Sequence, residues 1–150
     1  MSRTLGLMLL AAAVLTLCPS VAVGYTSRQT WDLKRVNRVR SNHGVKPALS
    51  LGAQMTKRAQ RWASYLARKN RREADDLRGA SVCWNAGGHY YGTNSAIAHG
   101  YRNDLATDQY DLEHSPAHLA NILGRHFQWV GIGISSDRHG LIVVQDFCGR

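Results

Sequence analysis

Residues 115–133, SPAHLANILGRHFQWVGIG, contain a helix start, a histidine and the beginning of a strand. Ser115 is a typical N-cap residue, and Pro116 suits the first helical position because a helix start leaves that N–H without a partner. Apolar residues then recur at helical spacing up to Gly124, a residue type that commonly ends a helix in the left-handed conformation. The segment therefore predicts a short helix followed by a strand.

His118 falls in the first turn of that predicted helix. The N–H groups and the dipole of a helix start disfavour a positively charged imidazolium. We therefore expect the His118 ring to be neutral, so that it can accept a proton or bind a metal ion. His114 precedes the helix start and is expected to face solvent.

Three further helices are predicted along the chain. The first runs from the N-cap Thr30 to Asn42 and is ended by Gly44. The third begins at the N-cap Asn103 and continues through Leu112. The second, capped by Ser50, has the most regular amphipathic pattern, which we assign to core packing; its apolar residues are Leu51, Met55, Ala59, Trp62 and Leu66.

The remaining segments predict loops and strands. Residues 71–79 are polar and predict a surface connection, and residues 81–100 mix glycines and aromatics irregularly, which predicts a loop or a short strand. Residues 128–135 and 141–147 are β-rich and are joined by a turn at 137–140, which predicts a hairpin. Helices followed by strands favour an α+β fold.

The SPAHLANIL segment followed by VGIG resembles the signature of the CAP superfamily in its bacterial form. This superfamily comprises cysteine-rich secretory proteins, antigen 5 and pathogenesis-related proteins. Residues 36–49 (VNRVRSNHGVKPAL) match the amino-terminal pattern of the family, and residues 145–147 (QDF) match near its end. The resemblance covers roughly residues 30 to 150 and implies a three-layer α-β-α sandwich of the CAP (SCP) type.

The resemblance also implies a cleft in which two histidines and two acidic residues meet. His118 matches the histidine of the family's Ser-Pro-x-His segment, and His89 roughly matches the other one. The family's Gly-Glu-Asn motif reads Gly92-Thr93-Asn94 here, so a threonine replaces the acid. A hydroxyl group forms hydrogen bonds, but it does not replace a carboxylate as a general base or as a metal ligand.

The second acid of the cleft has two candidate positions. Glu113 stands at the spacing of the eukaryotic branch, whereas Ser115 stands where the bacterial branch often has serine. The cleft implied by the resemblance therefore consists of His89, Thr93, Asn94, Glu113, Ser115 and His118. His89 and His118 are its candidate ligands for a divalent metal such as zinc, and a water-filled polar pocket is the alternative. The candidate catalytic residues are His89, Glu113 and His118.

Residues 1–24 read as a secretory signal peptide, with Arg3, an apolar run at 5–17 and small residues before the cleavage site. The run is shorter than the about 20 residues that a membrane helix needs. We expect an exported, soluble product without a transmembrane span, consisting of one CAP domain at residues 25–150. An uncleaved anchor or lipidation at Cys18 is the alternative.

Removal of the leader leaves Cys83 and Cys148 as the cysteines of an exported chain, which predicts a disulfide bond between them. In the chain-entropy model, closing such a loop stabilises the fold by about 4 kcal/mol. Two unpaired thiols in a reducing compartment are the alternative.

The chain is strongly basic, and loss of Arg3 lowers its formal net charge only from +9 to +8. Basic residues cluster at 34–40, 57–61 and 68–72, which favours anionic cell-envelope or membrane components as partners, although a solvated basic face is the plainer interpretation. Nucleic acid is the least favoured partner, because the basic clusters lack interleaved aromatics for base stacking.

Together these features favour a secreted CAP-domain protein that binds a lipid, a cell-envelope component or a protein through its histidine-containing cleft and basic surface. The replacement of the family acid by Thr93 argues against catalysis. Two alternatives remain open at this point. One is a metal-assisted peptidase or esterase that uses the cleft histidines, and the other is a cationic defence or adhesion protein that acts by charge.

Overall fold

The structure is a computed structural model that describes residues 24–69, 71, 78–99, 104–136, 138 and 140–150, with the backbone alone at His99. Most of the predicted leader, most of the predicted connection at 71–79, Asn103 and part of the turn at 137–140 lie outside the described residues. The helices are α1 (Ser27–Asn42), α2 (Ala53–Lys69), α3 (Arg78–Asn85), α4 (Leu105–His114) and α5 (Pro116–Ile122). The strands are β1 (Ser50–Leu51), β2 (Tyr90–His99), β3 (Phe127–Ser136) and β4 (Gly140–Gly149).

The strands form a mixed sheet in the order β1-β3-β4-β2. Strand β1 pairs parallel to β3, whereas β4 runs antiparallel to both of its neighbours. Every residue of β4 is buried. In the register of β2 with β4, Thr93 lies opposite Asp146 and Asn94 lies opposite Gln145.

Helices cover both faces of the sheet. Successive side chains of a strand point to opposite faces, so alternate residues of β4 pack against different helices. Leu141, Val143 and Phe147 pack in one core with residues of α1, α4 and α5. Ile142 and Val144 pack in a second core with residues of α2. The predicted three-layer α-β-α sandwich is thus confirmed.

The glycines of the VGIG segment allow α2 to lie close against β3. A Cβ atom added to Gly131 would collide with the backbone of Met55, and one added to Gly133 would collide with the backbone of Ala59. Ile132 lies between them and is fully buried in the core on the other face. The segment therefore combines a flat surface for α2 with a large apolar side chain for the opposite layer.

The start of α5 agrees with its prediction, and three other helix boundaries differ. Ser115 is the N-cap of α5 and Pro116 is its first residue, as predicted; Gly124 follows the C-cap Leu123 but lacks the predicted left-handed conformation. The N-cap of α1 is Thr26, whose side chain pairs with Gln29 in a capping box, so the predicted cap Thr30 lies inside the helix.

The second helix begins later than predicted because the preceding residues pair with the sheet. Ser50 belongs to β1, where it lies opposite Trp129, and α2 begins at Ala53. The N-cap of α4 is Asp104, whose carboxylate accepts from the Thr107 N–H at 2.7 Å.

Residues 81–100 were predicted as a loop or a short strand, and this is wrong. They contain most of α3 and the whole ten-residue strand β2. The predicted disulfide between Cys83 and Cys148 is present and attaches α3 to β4. Strand β2 pairs with β4 along its full length. Tertiary contacts thus impose regular structure that the local sequence does not signal.

Candidate functional site

Helix α5 holds His118 in its first turn, half-buried. Burial lowers the pKa of His118, because an imidazolium removed from water is destabilised. The ring is therefore neutral at pH 7, as predicted, with burial as the cause.

Two asparagines attach α5 to β2 beside His118. The Asn94 Nδ2 atom donates to the backbone oxygen of His118 at 3.0 Å. The Asn121 Nδ2 atom donates to the Asn94 Oδ1 atom at 2.9 Å and to the backbone oxygen of Thr93 at 3.0 Å. A Cβ atom on Gly92 would lie 2.9 Å from the Asn121 Oδ1 atom, which explains the glycine of the motif.

Thr93 and Asn94 serve opposite faces of the sheet. The Thr93 hydroxyl donates to the Asp146 Oδ1 atom at 2.9 Å, on the face that packs against α2. The Asn94 side chain bonds to Gln145 and to α5 on the other face. The position of the missing family acid therefore lies on the α2 side of β2.

Glu113 forms an ion pair with Arg35 of α1. The guanidinium Nε and Nη2 atoms each donate to one carboxylate oxygen at 2.6 Å. This bond raises the pKa of Arg35 above its usual value. The pair lines a cavity of about 240 Å³ between α1 and the α4–α5 corner, together with Arg38, His43 and His114.

His89, His114 and His126 lie at the surface. His89 is exposed just before β2, and its backbone N–H donates to the Gly149 oxygen at 2.7 Å. His114 is exposed, as predicted, and stacks on Tyr110 with ring centroids 3.8 Å apart. His126 stacks on Tyr90 in the same way, at 4.2 Å.

A sequence model of the cysteine-rich secretory protein family, CAP, matches residues 33–147. The chain belongs to the CAP family. This confirms the family that residues 115–133 and 36–49 indicated. A comparison with curated proteins finds no match.

Solved structures with the same fold come from bacteria and from a parasitic worm. An outer surface protein from Borrelia burgdorferi is 12% identical with a TM-score of 0.70, covering 85% of this chain and 96% of that one. An extracellular SCP-domain protein from Bacillus anthracis is 20% identical with a TM-score of 0.60, covering 81% of this chain. The CAP domain described here spans only 40% of that protein's length. Venom allergen-like protein 4 from Schistosoma mansoni is 11% identical with a TM-score of 0.63, covering 83% of this chain and 90% of that one. These similarities show the fold.

The zinc ligands predicted for this CAP domain are two histidines, His89 and His118. Within the described ranges no group of three histidine, cysteine or acidic side chains is placed to hold a metal ion. His89 precedes Asn94 by five residues, a separation on the order of 15 Å along an extended chain. The Asn94 side chain is the group that donates to the backbone oxygen of His118. Zinc binding through His89 and His118 stays a prediction.

Sequence analysis did not identify the polar cluster on the α2 side of the CAP sheet. The Asp146 carboxylate, fully buried, accepts from Thr93, from the Tyr91 hydroxyl at 3.1 Å and from Arg58 at 3.1 Å. Burial raises the pKa of Asp146, and its contacts with Arg58, Thr93 and Tyr91 oppose that rise. The QDF motif contains Asp146, but nothing in the local sequence indicates its partner on α2.

A second buried polar cluster lies on the α1–α4 side. The Gln145 Nε2 atom donates to Asp32 at 3.0 Å and to Gln109 at 2.9 Å. Asp108 is fully buried, and the interaction of its carboxylate with the Ala98 backbone opposes the effect of burial on its pKa. Burial raises the pKa of both Asp32 and Asp108 to about 7.

No helix in the described ranges is long and apolar enough to cross a membrane. Most of the predicted leader lies outside these ranges.

Proposed function

We propose that this CAP-domain protein is exported and binds anionic components of a cell envelope, without catalysing a reaction. The net charge of +9 carries the proposal of an anionic partner, and the ion pair of Glu113 argues against catalysis. Both of its carboxylate oxygens accept from Arg35 at 2.6 Å. A carboxylate held in this bidentate way is stabilised as an ion pair and serves the packing of α4 against α1.

The position of the other family acid supports the same conclusion. Thr93 carries no carboxylate, and its hydroxyl donates to Asp146. His118 is neutral and can accept a proton, but acid–base hydrolysis also needs a group that orients or supports it. At the two positions that the resemblance assigns to that role, Thr93 is bonded to Asp146 and Glu113 is paired with Arg35.

The charge of the chain supports an anionic partner. Its formal net charge is +9 with 150 residues, and an excess of this size attracts anionic surfaces over a distance set by salt. The related structures from Bacillus anthracis and Borrelia burgdorferi are described as an extracellular and an outer surface protein. These descriptions support export as the setting.

The proposal is tested by co-sedimentation of the purified protein with lipid vesicles. We expect binding to phosphatidylglycerol vesicles, little binding to phosphatidylcholine vesicles, and loss of binding as the salt concentration rises above physiological. Equal binding to both lipids, or no binding to the anionic one, would contradict an anionic envelope partner.

The hydrolase alternative is tested separately with the variant His118→Ala. We expect the protein and this variant to leave peptide and ester substrates equally intact, with and without added zinc. Turnover that is present in the protein and abolished in the variant would overturn the non-catalytic interpretation.

A further inference from the structure

Helices α2 and α3 face each other across a cavity of about 700 Å³. Four of its lining residues come from one face of α2 and three from one face of α3, at steps of three and four residues. They are Arg58, Arg61, Trp62 and Tyr65 on α2, and Arg78, Ser81 and Val82 on α3. Helix α2 covers the sheet face opposite α5, so this cavity is distinct from the region of His118.

Three arginines line the cavity. Arg58 is 5% exposed and is held by Asp146 at 3.1 Å, and its guanidinium carbon lies 5.4 Å from the ring centroid of Trp62. Arg61 and Arg78 are exposed at the edge. The cavity thus has three guanidinium groups and no acidic side chain among its described lining residues.

The wall also has an apolar part. Trp62 and Tyr65 stack with ring centroids 5.0 Å apart and planes 15° apart, and Val82 lines the α3 side. The stack fixes both rings, since Arg58 lies over Trp62 while Tyr65 stacks on it. A rigid wall of this kind loses little side-chain entropy when a ligand binds.

We propose that the α2–α3 cavity binds a phosphate group carried by a partly apolar molecule. Guanidinium groups bind phosphate oxygens through paired, charge-assisted hydrogen bonds, and the exposed Arg61 supplies such a group beside Trp62 and Tyr65. Arg61 pairs with the phosphate at the cavity mouth, and the edges of Trp62 and Tyr65 contact the apolar part. This inference rests on the proposed envelope-binding function, and it names a site for it.

The site is tested by calorimetric titration with 1-naphthyl phosphate, with neutral 1-naphthol and with inorganic phosphate. We expect 1-naphthyl phosphate to bind more tightly than either fragment. Because one charge-assisted hydrogen bond contributes about 1.5 kcal/mol or more, Arg61→Ala weakens this binding about tenfold. The matched control is Arg125→Ala, which removes the same charge from an exposed residue between α5 and β3 and leaves the affinity unchanged.

A second variant tests the apolar wall. Tyr65→Ala is expected to weaken the binding of 1-naphthyl phosphate and to leave that of inorganic phosphate unchanged. Thermal unfolding of each variant identifies any loss of the fold. An equal effect of Arg61→Ala and Arg125→Ala would overturn the cavity site, because net charge alone would then explain the binding.

Binding to vesicles distinguishes a lipid headgroup from a soluble phosphate ester as the source of the phosphate. Weaker binding of Arg61→Ala than of Arg125→Ala to phosphatidylglycerol vesicles would support a lipid headgroup. If the vesicles bind and 1-naphthyl phosphate does not, the cavity site is wrong and the envelope function stands. If 1-naphthyl phosphate binds with the expected Arg61 dependence and the vesicles do not, the cavity takes a soluble phosphate ester and the envelope function is wrong.

Discussion

Thr93 is the residue at which this chain departs from the family motif, and its contacts explain why a threonine suits the position. Its hydroxyl donates to Asp146, which is fully buried and also bonded to Arg58. A carboxylate at position 93 would lie beside the Asp146 carboxylate, and two adjacent buried carboxylates cannot both ionise at low free-energy cost. The replacement thus removes a like-charge contact at the centre of the sheet.

The variant Thr93→Glu tests this interpretation. We expect it to lower the free energy of unfolding by about 2 kcal/mol at pH 8, and by less at pH 4, where the added carboxyl group is protonated. Thr93→Val is the matched control, since it removes the hydroxyl without adding charge. Denaturant unfolding at both pH values provides the measurement.

The same variant tests the zinc prediction. The resemblance implies that the family's acid restored at position 93 raises zinc affinity. Because the Thr93 side chain lies on the α2 side and His118 lies on α5 on the other side, we expect no gain. A zinc titration followed by thermal unfolding detects the change, because a ligand that binds the folded state raises the melting temperature. An unchanged melting temperature with zinc in Thr93→Glu would contradict the metal site implied by the resemblance.

Asp108 gives the stability a pH dependence of defined sign. Burial raises its pKa from 3.8 to about 7 in the fold, so the folded state holds the proton more tightly than the unfolded chain does. The contribution of Asp108 to the free energy of unfolding is therefore largest below about pH 4 and is lost as the pH rises through about 7. Asp32 contributes in the same direction.

The variant Asp108→Asn removes one of these titrating groups. We expect its free energy of unfolding, relative to the unmodified protein, to be higher at pH 8 than at pH 4 by an amount on the order of 2 kcal/mol. Asp111→Asn on the same helix is the comparison: the charge of the exposed Asp111 adds to the raised pKa of Asp108, so we expect a smaller change with pH in the same direction. A relative stability that does not change with pH would contradict the raised pKa.

At the level of elements, the contact of α2 with β3 depends on the absence of side chains at two glycines. A Cβ atom at Gly131 would collide with the Met55 backbone, which cannot move without shifting the helix. We expect Gly131→Ala to lower the free energy of unfolding by about 3 kcal/mol. Gly52→Ala is the control, since the atoms nearest to the Cβ position there lie 3.5 Å away, at ordinary contact distance. Equal stability of the two variants, measured by denaturant unfolding, would contradict the close contact.

The elements also show which parts of the fold can be predicted from sequence. Helix α5 and the following strand were predicted closely because Ser115, Pro116 and the glycines of VGIG act through local backbone preferences. Helix α3 and strand β2 were missed because the disulfide of Cys83 and the pairing with β4 determine them. These are contacts with residues more than forty positions away.

In the candidate site too, residues of local motifs could be predicted, whereas their distant partners could not. His118 and Asn94 could be assigned from motifs, and the structure gives them adjacent positions. The partners Arg35 of Glu113 and Arg58 of Asp146 could not be assigned. A single arginine on an amphipathic helix has no local feature that distinguishes an ion pair with a distant strand from exposure to solvent.

At the level of the whole molecule, the disulfide joins positions 65 residues apart. Loop closure of this length stabilises the fold by about 4 kcal/mol in the chain-entropy model. We expect the double variant Cys83→Ala, Cys148→Ala to lose about this much stability, and the reduced protein to lose a similar amount. Thermal unfolding with and without reductant provides the measurement. Unfolding that is unaffected by reductant would mean that the bond does not form in solution.

The position of β4 also bears on when the protein can fold during its synthesis. Both strands that flank β4 precede it in the chain, and β4 is buried at every residue. Until residues 140–149 leave the ribosome, β2 and β3 lack the strand that joins them, and both cores are incomplete. The nascent chain therefore stays without its tertiary structure until almost all of the sequence shown has been translated.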